Sequence, residues 1–127
     1  MNAVIIDTNG ILGLLLDDIP QQADKVEQLI KKSKRDQRKI IIPEAVVFEI
    51  NFILNKYYKV QKKEIIEKLK SLLATSYFFV ESKDIFSQAL LHYDANNISL
   101  VDCFLIAKAK LGNAELFTFD KKLQKLK

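Results

Sequence analysis

The chain has 127 residues, of which 49% are hydrophobic and 28% charged, which suits one globular domain with its own core and excludes a disordered or low-complexity chain. A formal net charge of +4 is mild, so the total alone implies no anionic partner. One cysteine and one histidine exclude an intrachain disulfide and argue against a thiolate zinc site. The first residues lack a basic segment, and no apolar stretch reaches the ~20 residues that span a bilayer. The expectation is a cytoplasmic protein with no membrane association.

In chain order, "AVIID" (3–7) reads as a short buried strand, from its β-branched run. "NGILGLLLDD" (9–18) turns helical. Asp18, Pro20 and Gln21 give the start signature of the next helix. Ala23, Val26, Leu29 and Ile30 recur along it at helical spacing, and it ends in "KKSKRDQRK" (31–39), six cations and one aspartate. "KIIIP" (39–43) is a second strand, stopped by Pro43. A helix over 44–58 follows, then an amphipathic helix over 61–75. "YFFVES" (77–82) is a third strand, and Ser82 or Asp84 opens a helix to about 95. After the break "ANN", Ser99 and Asp102 form a capping-box pattern for a helix to Leu111, closed by Gly112-Asn113. "AELFTF" (114–119) reads as a fourth strand, and 120–126 as a last short helix.

Strands alternating with helices predict an α/β fold: a three-layer α/β/α sandwich around a mainly parallel sheet of four strands, or five. In such sheets sites form beyond the carboxyl ends of strands. Asp7 and Asp120 stand at two such ends. Glu49 sits inside "AVVFEINFIL", where partial burial is expected, and a buried unpaired carboxylate needs a cation. Asp102 lies in a helix first turn among apolar residues. If Asp7, Glu49, Asp102 and Asp120 converge, their repulsion calls for a hard divalent cation such as Mg²⁺ or Mn²⁺. Each also has a bland reading: Asp7 and Asp120 as helix caps, Asp102 as part of its capping box, Glu49 as a partner of a distant lysine. His92 reads as a helix residue rather than a base, and Cys103 as core filling.

The segments "AVIIDTNGILGLLLDD", "IPEAVVFEINFIL", "SLVDCFLIAKA" and "LFTFDKKL", in this order, resemble the PIN-domain ribonucleases, and among them the VapC-type toxins of toxin–antitoxin pairs. The resemblance runs from residue 3 to about 123 and implies one PIN-like domain over 1–127. It implies a metal-dependent endoribonuclease whose acids, here Asp7, Glu49, Asp102 and Asp120, hold Mg²⁺ or Mn²⁺ at the sheet's carboxyl edge. Thr8 or Asn9 beside Asp7, Ser99 before Asp102 and Thr118 before Asp120 would hydrogen-bond the acids or bind waters. Metal-assisted hydrolysis would leave 5′-phosphate ends. An RNA substrate, a small antitoxin protein and a homodimer are implied as partners. Lys34, Arg35, Arg38, Lys121 and Lys122 would guide the RNA backbone.

Two features depart from the family pattern. Many relatives continue into a further edge strand where this chain stops at Lys127, and Gly10 and Gly13 are unusual inside a helix. Three other readings stand beside this one. They are a housekeeping RNA-processing nuclease without an antitoxin, a phosphatase of the haloacid dehalogenase type, and a PIN-fold module that binds RNA or protein without cleaving. The phosphatase reading ranks low, because its second aspartate is replaced by Asn9.

Overall fold

The computed structural model describes residues 2–16 and 20–127. The expected cap at Asp18 and the end of the first helical segment, Asp17 and Asp18, lie outside the described residues. The chain divides into two compact units, Met1–Glu81 and Ser82–Lys127.

The first unit holds three strands, β1 (Ala3–Ile5), β2 (Lys39–Ile42) and β3 (Phe78–Val80), in a parallel sheet of order β1-β2-β3. Val4 is in register with Ile40, and Ile41 with Phe79. Parallel pairing forces a long crossover, and each crossover here is a pair of helices. α1 (Thr8–Leu16) and α2 (Pro20–Arg35) join β1 to β2, and α3 (Glu44–Lys56) and α4 (Lys62–Ala74) join β2 to β3. The central strand supplies the best-buried sheet residues, Ile40 and Ile42. α4 packs through Ile65, Ile66, Leu69, Leu72 and Leu73, the stripe that the 3.6-residue period requires.

Pro43 ends β2 because it has no amide to donate to a ladder. Its carbonyl accepts from Val46 and Val47 and so starts α3. A proline cannot cap with its side chain, and Glu81, just past β3, does so instead: Glu44 donates its N–H to the Glu81 Oε1 at 3.2 Å.

The second unit is helical: α5 (Lys83–Ala95), α6 (Leu100–Leu111) and α7 (Lys121–Leu126). Its core is the α5–α6 contact, with the rings of Phe86 and Phe104 4.8 Å apart and Cys103 fully enclosed. Ser82 takes the cap position of α5 in the left-handed region at φ 56°, and its side chain makes no cap hydrogen bond. At the far end of α6 it is Asn113, at φ 51°, that takes the left-handed turn, while Gly112 stays at negative φ.

The expected fourth strand is a correction. Residues 114–120 are in neither helix nor strand and join no sheet among the described residues, so the sheet has three strands rather than four or five. Carbonyls that would enter a ladder are taken by side chains of α7 and of the residue after it. Lys127 Nζ donates to the Leu116 carbonyl at 3.0 Å, and Gln124 Nε2 to the Thr118 carbonyl at 2.8 Å. Phe117 and Phe119 meet edge to face and remain exposed.

The two glycines of α1 differ. A Cβ on Gly10 would lie 2.8 Å from Cγ1 of buried Ile6, closer than packed atoms allow, so the helix start and the strand end touch only because Gly10 lacks a side chain. A Cβ on Gly13 would make ordinary contact with Gln22 at 3.5 Å. Gly10→Ala is therefore expected to lower unfolding stability by about 1–3 kcal/mol. Gly13→Ala is expected to raise it by about 0.5–1 kcal/mol. Urea denaturation of the two variants checks both signs.

Candidate functional site

A strand that runs straight into a helix leaves the first N–H groups of that helix without partners. At the end of β1, Asp7 meets this demand. Its Oδ1 accepts from the Gly10 N–H at 2.9 Å, and its carbonyl accepts from Ile11 at 3.2 Å. The bland reading of Asp7 as a cap is thus realised, and it fixes the carboxylate at the carboxyl end of the sheet, exposed, with its second oxygen unspent by this bond. Thr8 beside it is buried in the first turn of α1, and Asn9 is exposed.

Glu49 departs from expectation. It is exposed, not partly buried. The buried face of α3 is Val47, Ile50 and Leu54, and at 100° per residue Glu49 falls well off that stripe. The apolar run around it misleads, because several large residues of this segment also face solvent. Phe52 is 53% exposed and packs edge to face on exposed Tyr57. The argument from an uncompensated buried charge therefore does not apply to Glu49. Since α1 packs on α3, Asp7 and Glu49 nevertheless belong to neighbouring elements of one unit.

In the second unit, Ser99 caps α6, and its Oγ accepts from the backbone N–H of Asp102 at 3.1 Å. Asp102 is half-buried in the first turn. Asp120 caps α7 through Oδ1, which accepts from Leu123 N–H at 3.1 Å, and its own N–H donates to Thr118 Oγ1 at 3.0 Å. Ser99 and Thr118 thus hold the backbone of the two acids rather than their carboxylates. α6 and α7 pack together, so Asp102 and Asp120 also belong to neighbouring elements.

The four predicted acids are therefore two pairs, one in each unit. Among the described residues neither unit by itself gathers three or more Asp, Glu, His or Cys side chains able to hold a metal ion. The donor set still suits a hard divalent cation, because every candidate ligand is a carboxylate oxygen and the two capping aspartates each use one oxygen for their cap. Glu81 escaped the sequence reasoning, although it carries the signal that singled out Asp7, an acid directly after a strand. Its Oε1 is engaged by α3, so it anchors the carboxyl edge.

Of the candidate RNA contacts, Lys34 lies 4.5 Å from the Tyr77 ring centroid, and Arg35 pairs with Asp36 at 3.5 Å in an exposed ion pair of little energetic weight. Arg38 is half-buried, and Lys121 and Lys122 are exposed in the first turn of α7.

An α/β chain with an acid at the end of its first strand places that carboxylate where parallel sheets form their sites. A family model described as PIN domain matches residues 4–127, and the chain belongs to this family. It is similar to the VapC ribonuclease of Aquifex aeolicus (strain VF5), 27% identical over 123 residues that cover 96% of this chain and 90% of that protein. No solved structure gives a significant match. No helix among the described residues is long and apolar enough to cross a membrane.

Two outcomes follow for stability. Asn caps a helix as well as Asp does, so Asp7→Asn is expected to change stability by only a few tenths of a kcal/mol, and Asp7→Ala to cost ~1 kcal/mol, in thermal or urea unfolding. His92 in α5 has its pKa lowered from 6.5, first by burial and then by the charge of Lys110. Below pH 6.5 the unfolded chain then binds more protons at this site than the folded one, so this part of the stability is lost as pH falls through that value. A His92→Gln variant should show a smaller drop in melting temperature than wild type between pH 7.5 and 5.5, in steps of about one unit around the ordinary histidine value.

Proposed function

We propose that this chain is a metal-dependent endoribonuclease that hydrolyses RNA phosphodiester bonds, and that it acts in the cytoplasm as the toxin of a type II toxin–antitoxin system. The reading rests chiefly on one observation. The PIN-domain match and the likeness to a VapC ribonuclease both run over nearly the whole chain, rather than over an isolated motif. The chain acts as one functional domain over 1–127, with Asp7, Glu49, Asp102 and Asp120 as its catalytic and metal-holding residues.

In this reading the four carboxylates hold Mg²⁺ or Mn²⁺. A bound divalent cation supplies positive charge against the phosphodiester and lowers the pKa of water in its reach. The chain's own contribution is placement. The Asp7 and Asp120 carboxylates are fixed by the helix N–H groups they cap, and Ser99 and Thr118 fix the backbone from which Asp102 and Asp120 project. Thr8 and Asn9 flank Asp7 and orient water or its free oxygen. The exposed cations Lys121 and Lys122 draw in the RNA backbone, together with Lys34, Arg35 and Arg38. Hydrolysis leaves a 5′-phosphate. A small antitoxin protein supplies control, and the active form is a homodimer.

The test is cleavage of a structured RNA with Mg²⁺ or Mn²⁺, with and without chelator. Asp7→Asn and Asp102→Asn are each expected to reduce it by about a hundredfold or more while the protein stays folded. Undiminished cleavage by folded Asp7→Asn would overturn the site. Metal-dependent cleavage without toxicity on induced expression would favour the housekeeping role, and binding of RNA without cleavage the non-catalytic module.

A further inference from the structure

A pocket of about 320 Å³ opens between the end of α2, the start of β2 and the start of β3. Strand polarity puts it at the amino edge of the sheet, whereas Asp7 stands at the carboxyl edge. β2 is four residues long, so the two edges are roughly 13 Å apart. The pocket is thus distinct from the acidic site.

Its lining includes the cations Lys34, Arg38 and Lys39 and no carboxylate. Two enclosed polar atoms of its lining residues lack partners among the described residues, Ser33 Oγ and Arg38 Nε. Ser33 is 2% exposed, so its hydroxyl gives up water without gaining a bond, which a folded protein seldom tolerates. The end of a helix normally repels anions, but here the last carbonyls of α2 are occupied. Lys32, Ser33 and Lys34 accept from the N–H groups of Asp36, Arg38 and Gln37. The left-handed turn at Gln37, φ 56°, swings Arg38 back beside Ser33 to make this possible. At the rim Tyr77 and Phe79 present ring faces, each with a lysine over it, Lys34 at 4.5 Å and Lys39 at 4.9 Å.

A deep end with two idle donors, cations and no acids takes a compact oxyanion. A rim of aromatic rings takes a flat, uncharged group. The volume exceeds what a lone phosphate fills and reaches the range of small-molecule sites. We infer that this pocket is a nucleotide site. The phosphate pairs with the Arg38 guanidinium and is flanked by the Lys34 and Lys39 ammoniums, Arg38 turning so that its enclosed Nε and Ser33 Oγ come within reach, and the base lies against Tyr77. The choice of a nucleotide over an acidic peptide rests on the ribonuclease reading, in which the pocket holds a nucleotide of the substrate or product away from the cleavage site.

The experiment is an NMR titration of the full chain with adenosine 5′-monophosphate, against adenosine, inorganic phosphate and a hexaglutamate peptide. The expected result is saturable shifts at Ser33, Arg38 and Tyr77, with the monophosphate tighter than adenosine or phosphate alone. Arg38→Gln is expected to weaken it about tenfold or more, with Arg38→Lys in between. The inference is overturned by no saturable binding at millimolar nucleotide, by shifts that cluster elsewhere, by equal affinity for adenosine, or by hexaglutamate as the tighter ligand. It is also overturned by undiminished binding in folded Arg38→Gln. Asp7→Asn should bind the monophosphate as wild type does, so a failed nuclease reading and a failed pocket give different results.

Discussion

Everything about the acidic positions depends on one constraint: the first backbone N–H groups of a helix must find acceptors. Asp7 and Asp120 supply them directly, Ser99 supplies one for the helix of Asp102, and Glu81 supplies one for the helix of Glu49. A side chain held this way is fixed by the main chain rather than by a lysine that would neutralise it. Capping and metal holding are therefore not rival roles. The cap engages one carboxylate oxygen and leaves the other unspent by that bond.

Much of this was legible in the sequence, and the failures have physical causes. The first three strands announce themselves by short β-branched or aromatic runs followed by a stop, and the structure has them within a residue or two of the expected ends. The segment 114–119 has the same look. A strand, however, is defined by its partner, and here the carbonyls of Leu116 and Thr118 are bound by Lys127 and Gln124 instead. Glu49 escapes the expected partial burial because an apolar run need not face inward: Phe52 on the same helix and Tyr57 at its end stand in solvent. The basic run 31–39 was legible as charge. That it folds over an enclosed serine was not, because Ser33 reads as one more polar residue in a helix.

The polarity of the sheet organises what remains. A parallel sheet has two chemically different edges, and this one presents carboxylates at the first and cations at the second. Both are made at the junctions of strands with helices, where backbone groups leave the ladder and side chains from distant sequence positions meet. The strands themselves are short and contribute little beyond orientation. Gly10 shows how tightly the acidic junction is drawn, since even a methyl group there would collide with the strand it follows.

The fully enclosed Cys103 has a practical corollary. It is the sole sulfhydryl in the sequence, and it is buried on α6. A thiol-specific reagent reaches it only when its surroundings open, so the rate of its alkylation reports the opening of the structure around α6 without any probe being added. A cysteine placed on the surface would react first, which leaves the molecule ready for dye attachment at a chosen point.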